Sequence, residues 1–133
     1  MVIALLIEDD PSVRGMIRRA VEPDICTVIE APDGEAGLKI IERGFPPVDL
    51  VLVDLMLPGL NGLEVIDAVS RSHPHLPMLC MTGFGATATD LLESTLQDYR
   101  VPVLVKPFRP TELAEAVRTL LERANRRSRQ LTG

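Results

Sequence analysis

Four short apolar runs in this chain each end on a side chain that can do chemistry. Val2 to Ile7 runs into Glu8, Asp9 and Asp10. Leu50 to Val53 runs into Asp54, Met78 to Met81 into Thr82, and Val103 to Val105 into Lys106. If these runs are parallel strands, their ends line one sheet edge. That edge would gather carboxylates, a hydroxyl and an ammonium in one cleft. Open α/β sheets bind ligands at this edge, where the strand order reverses.

Carboxylates held a few ångströms apart repel, and one resists ionising unless a cation offsets the charge. Oxygen donors of this kind suit Mg2+, which also keeps several waters. Without His or Cys among the donors, the set does not suit zinc. Alone, the triplet Glu8-Asp9-Asp10 reads equally well as the solvated start of a helix. Asp54, closing a second apolar run, shifts the reading toward a site, because a buried strand has no packing reason to end that way. Lys106, the cation and the Thr82 hydroxyl would together receive a tetrahedral oxyanion. Asp54 could then attack phosphorus in line and form an aspartyl phosphate. At rest, Lys106 is expected to pair with Asp54.

The elements that must position these groups follow from composition and pattern. At 133 residues and 46% apolar, the chain suits one domain with one aliphatic core; it has three Phe, one Tyr and no Trp. Its formal charge of −5 argues against nucleic-acid binding by the domain as a whole. Cys26 and Cys80 lie in apolar runs without metal-ligand spacing and read as small buried hydrophobes of a reducing compartment. No apolar stretch is long enough to span a membrane and no signal peptide pattern is seen, so the expected location is cytoplasmic.

Strand-like and helical patterns alternate as five β/α units. Asp10 can cap a first helix with Pro11 at its first position, and Val13, Ile17, Ala20 and Val21 recur at helical spacing up to Pro23. Ile25 to Ile29 reads as a second strand. Asp33 can cap a second helix carrying Ala36, Ile40 and Ile41, which Gly44 ends. Leu63, Ile66 and Val69 mark a third helix, and about 87–96 a fourth with a weak apolar stripe. Leu113, Val117, Leu120 and Leu121 mark a fifth. The first and third strands are continuously apolar, as in a parallel sheet covered on both faces. Right-handed crossovers then favour a doubly wound, five-stranded parallel sheet in the order 2-1-3-4-5, a flavodoxin-like three-layer sandwich. Residues 1–124 form the expected domain. Residues 125–133, with Arg126, Arg127 and Arg129, are expected to be a basic tail or linker, either a contact arm or, more simply, a solvated helix end, since helices favour cations at their C-termini.

The runs Leu6 to Pro11, Asp54 to Gly62, Met81-Thr82-Gly83 and Lys106-Pro107-Phe108 closely resemble receiver domains of two-component response regulators, in order, spacing and strand-end placement. The resemblance covers about residues 2–124. It also extends to receivers appended to hybrid histidine kinases. It implies that Asp54 is the phosphoacceptor, charged by a sensor histidine kinase or a histidine phosphotransfer protein. Asp9 and Asp54 would hold Mg2+ directly with the Met56 carbonyl, and Glu8 through water. Lys106 would contact the phosphoryl group, next to a cis bond to Pro107, and Thr82 would move toward it and carry the signal to a partner or an attached output domain. A homodimer through the fourth helix, fifth strand and fifth helix is among the implied assemblies. Neither membrane insertion nor turnover as an enzyme is implied.

This chain departs from the family pattern in three places. Val103 stands where receivers often carry a switch aromatic, and Tyr99 is expected to precede the strand. The stretch from Thr82 to Lys106 is slightly long. Met56 and Gly83 cannot position a water by hydrogen bonding, so autodephosphorylation is expected to be slow. Three other readings fit less well. A phosphatase with an aspartyl nucleophile of the haloacid dehalogenase type wants a second Asp two residues on, where Met56 stands. A flavodoxin-like cofactor binder wants a phosphate loop where Glu8-Asp9-Asp10 would repel it. A phosphorylation-independent scaffold would keep the fold and leave the site silent.

Overall fold

Asp10 and Pro11 start the first helix as their chemistry dictates. The Asp10 carboxylate accepts from the Ser12 N–H at 2.9 Å, and Pro11 takes the first helical position, where no N–H is needed. A computed structural model describes residues 1–83 and 99–127 in full and 128–132 by their backbone. In chain order it has β1 (Ile3–Ile7), α1 (Pro11–Val21), β2 (Thr27–Ala31), α2 (Gly34–Arg43), β3 (Leu50–Asp54), α3 (Gly62–Ser72), β4 (Met78–Thr82), β5 (Val103–Val105) and a C-terminal helix (Pro110–Thr132). The helix expected over about 87–96 lies outside the described residues.

The five strands form one parallel sheet in the order β2-β1-β3-β4-β5. Residues on β1 alternate between two cores, as a period of two requires. Leu5 and Ile7 join Ile41, Val65, Ile66 and Val69 from α2 and α3. Ala4 and Leu6 join Ile17 and Val21 of α1 with Leu113, Val117 and Leu120 of the C-terminal helix. Both faces are thus covered, and β3 and β4 are buried along their whole length. That is the doubly wound fold read from the continuous apolar runs.

Both ends of β2 differ from expectation, since it runs to Ala31 rather than Ile29. β2 starts at Thr27 rather than Ile25, because the backbone N–H groups of Ile25 and Cys26 still close back onto the Val21 carbonyl of α1. The C-terminal helix runs on through the basic segment to Thr132, which makes that segment a helix end. Asp33 and Asn61 cap α2 and α3, and Gly44 ends α2 with φ 68°, which a side chain would strain. Cys26 and Cys80 are both buried, and burial pushes their thiols up to about 11 and about 12. The expected role as small hydrophobes stands. Among the described residues, no helix is long and apolar enough to cross a membrane.

Candidate functional site

Register places the chemistry. Ile7 pairs with Val53 across β1 and β3, so Glu8 and Asp54 leave the sheet side by side. Thr82 pairs with Val105 across β4 and β5, and the next residue, Lys106, donates its backbone N–H to the Thr82 carbonyl at 2.7 Å. All four expected run ends therefore meet at the carboxyl edge. β1 and β3 are neighbours there although their crossovers leave in opposite directions, and this switch point opens the cleft.

Lys106 ties the cleft together. Its Nζ lies 2.8 Å from Asp54 Oδ2 and 3.2 Å from Glu8 Oε2. The other Asp54 oxygen, Oδ1, accepts from the Met56 N–H at 3.0 Å. Asp54 is 3% exposed, Glu8 1% and Thr82 0%, whereas Met56 is 56% exposed and Asp9 faces solvent. One carboxylate oxygen from each of Glu8, Asp9 and Asp54 lies within 4.8 Å of the others. An oxygen-only donor set of this size and charge fits Mg2+.

The electrostatics record the crowding. Burial first, then a hydrogen bond and repulsion from Asp54, push the Glu8 carboxyl up to about 7, against a smaller opposing pull from Lys106. Burial alone would lower the Lys106 ammonium, but its contacts with Asp54 and Glu8 outweigh that, and its pKa is raised. Two buried acids sharing one ammonium leave excess negative charge, which a divalent cation would offset.

Backbone geometry holds the loop after β3 against this site. The Gly62 N–H donates to the Leu55 carbonyl at 3.2 Å, and a Cβ on Gly62 would come within 2.6 Å of Leu55 Cα. Gly83 lies beside the Lys106 stem, where a Cβ would make ordinary contact at 4.0 Å. The Lys106–Pro107 bond is cis, as expected.

Arg14 is the functional neighbour that the reading of the sequence missed. Its Nη1 donates to the Glu8 carbonyl at 2.8 Å, and its Nε pairs with Glu30 Oε1 of β2 at 3.3 Å. It braces the peptide between Glu8 and Asp9. The available signal was its place one turn after the Asp10 cap, opposite an acid on the neighbouring strand. Tyr99 precedes β5 as expected, and its hydroxyl donates to Asp67 Oδ1 of α3 at 2.8 Å. Phe108 packs on the core, and His73 and His75 are exposed, the former closing α3.

The model of the response regulator receiver domain matches residues 4–118 of this chain. The chain belongs to the response regulator receiver domain family. It is 31% identical over 123 residues to the transcriptional regulatory protein CpxR of Escherichia coli strain K12, covering 91% of this chain and 50% of that protein. It is 36% identical over 121 residues to the DNA-binding response regulator MtrA of Mycolicibacterium smegmatis, covering 90% and 50%. The receiver thus spans about half the length of these relatives. Among solved structures, a CheY-like receiver domain protein from Methanospirillum hungatei JF-1 superposes with a TM-score of 0.83 at 21% identity, covering 96% of this chain and 98% of that one. A receiver domain protein from Clostridium thermocellum gives 0.80 at 24%, covering 94% and 98%. These likenesses bear on the fold alone.

Proposed function

We propose that this receiver is a Mg2+-dependent phosphoacceptor switch, with Asp54 taking a phosphoryl group from a sensor histidine kinase or a histidine phosphotransfer protein. The observation that carries the reading is Lys106 Nζ seated between Asp54 and Glu8, with Asp9 completing three carboxylates at one strand edge. Glu8, Asp9, Asp54 and the Met56 carbonyl would hold the metal. When bound, Mg2+ supplies positive charge to the incoming phosphoryl oxygens.

The chain's own residues do the rest. An Asp54 carboxylate oxygen attacks phosphorus, the bond from phosphorus to the donor imidazole nitrogen breaks, and the imidazole retains that electron pair. Lys106 leaves its ion pair with Asp54 and follows the new negative charge. Thr82, buried at the end of β4, and the segment after it respond and bias a two-state equilibrium. The product is a signal rather than a released molecule, read by a partner or a linked output domain. The domain works in the cytoplasm, without nucleic-acid contact of its own. With Met56 largely solvent-facing and Gly83 bare, the phosphoryl group is lost slowly; purified phosphoprotein in Mg2+ that decays within seconds would contradict this.

Intact-mass analysis after incubation with acetyl phosphate tests the reading. One phosphoryl mass should appear with Mg2+, vanish with a chelator, and be absent in Asp54→Ala. No gain in the native protein would favour a phosphorylation-independent scaffold.

A further inference from the structure

Arginine is concentrated at the opposite end of the sheet, and nothing in the phosphoacceptor chemistry uses it. A groove of about 510 Å³ opens between the amino ends of β4 and β5 and the C-terminal helix. Arg100, Arg123, Arg127 and His75 line it, over a floor that includes Leu76, Tyr99 and Pro102. Among the described residues no Asp or Glu lines it, although the chain carries −5 overall. Nor does any of these arginines pair with an acid among the described residues.

Local chemistry makes this arrangement unfavourable unless something offsets it. Arg123 and Arg127 stand four apart on one helix, a like-charge spacing that is destabilising, and no acid lies three or four residues from either. Arg100 sits at φ 58°, the left-handed region that L side chains rarely adopt and that a glycine would occupy without strain. Two costs therefore converge on one concavity. Guanidiniums are the side chains best matched to phosphate, through paired N–H donors. The volume exceeds a single phosphate and lies in the range of small-molecule sites. Leu76, Tyr99 and Pro102, all half-buried, supply an apolar surface beside the charges.

We infer that this groove binds a nucleotide-sized phosphate ester, its phosphates on Arg100, Arg123 and Arg127 and its flat apolar part on the floor. The site is separate from the carboxylate cleft, which lies at the carboxyl ends of the same strands.

The test is fluorescence anisotropy of N-methylanthraniloyl-ATP with the whole chain, in chelator so that the acidic cleft holds no metal. The expected result is saturable binding, displaced by unlabelled ATP at lower concentration than by pyrophosphate, which has no apolar part. Arg100→Gly and Arg123→Ala/Arg127→Ala should each weaken it by about tenfold or more. Arg100→Gly should at the same time raise the melting temperature, because it relieves the backbone, so lost binding cannot be put down to a lost fold. Asp54→Ala should bind unchanged. No saturable binding, or equal binding by the arginine variants, would overturn the inference. So would displacement by duplex DNA or an acidic polypeptide at lower concentration than by ATP, which would make the groove a macromolecular contact.

Discussion

Among the carboxylates of the cleft, Glu8 is held furthest from its ordinary protonation behaviour. Burial first, and then the nearby Asp54, push its carboxyl up from 4.5 to about 7. The folded state therefore binds a proton that the unfolded state has lost, so stability falls as pH rises from about 4.5 to about 7. Without Mg2+, the urea midpoint should drop across that window. Glu8→Gln keeps the shape and removes the titration. It should flatten the slope and stabilise the metal-free protein above pH 7, by at most about 3 kcal/mol. A native midpoint that rises through the window, or an identical slope in the variant, would refute this assignment. Lys106 holds its proton throughout, which keeps it available to both acids.

At the scale of elements, the site depends on close backbone approaches as much as on side chains. α3 begins over the end of β3, and Gly62 allows it. A Cβ there would press on the Leu55 backbone, and backbone cannot give way as a flexible side chain can. Gly62→Ala should cost about 2 kcal/mol or more in stability. It should also slow phosphorylation of Asp54, because the loop after β3 carries Met56, whose N–H orients Oδ1. Thermal melts and acetyl phosphate labelling rates on the same variant check both parts. A variant as stable and as quickly labelled as the native chain would show that α3 can shift without cost. On the facing side, Tyr99 links the segment before β5 to α3 through Asp67. That bond lies outside β5, where Val103 stands in place of an aromatic.

For the whole molecule, metal, pH and stability are one linked system. A cation that binds only the folded carboxylate cleft stabilises the protein by mass action, about 2 to 3 kcal/mol at a hundredfold excess over its dissociation constant. It must compete with the proton that Glu8 holds below about 7. The rise in melting temperature on adding Mg2+ should therefore be larger at pH 8 than at pH 5, and small in Asp54→Ala. An equal rise at both pH values would place the cation elsewhere. Excess negative charge sits at the carboxyl end of the sheet, while at the amino end Arg100, Arg123 and Arg127 have no acidic partner among the described residues.

The order of elements was legible in local chemistry. Apolar runs without alternation called for buried parallel strands, and Asp10, Asp33 and Gly44 marked helix ends through hydrogen bonds that span only a few residues. Glu8, Asp54, Thr82 and Lys106 were legible because a strand end is a local event and right-handed crossovers leave few ways to assemble the strands. What needed the tertiary structure was distance between remote residues. That Lys106 reaches Glu8 as well as its expected partner Asp54, how Arg14 braces Glu8 against β2, and the Tyr99–Asp67 bond depend on contacts whose partners the intervening chain does not specify.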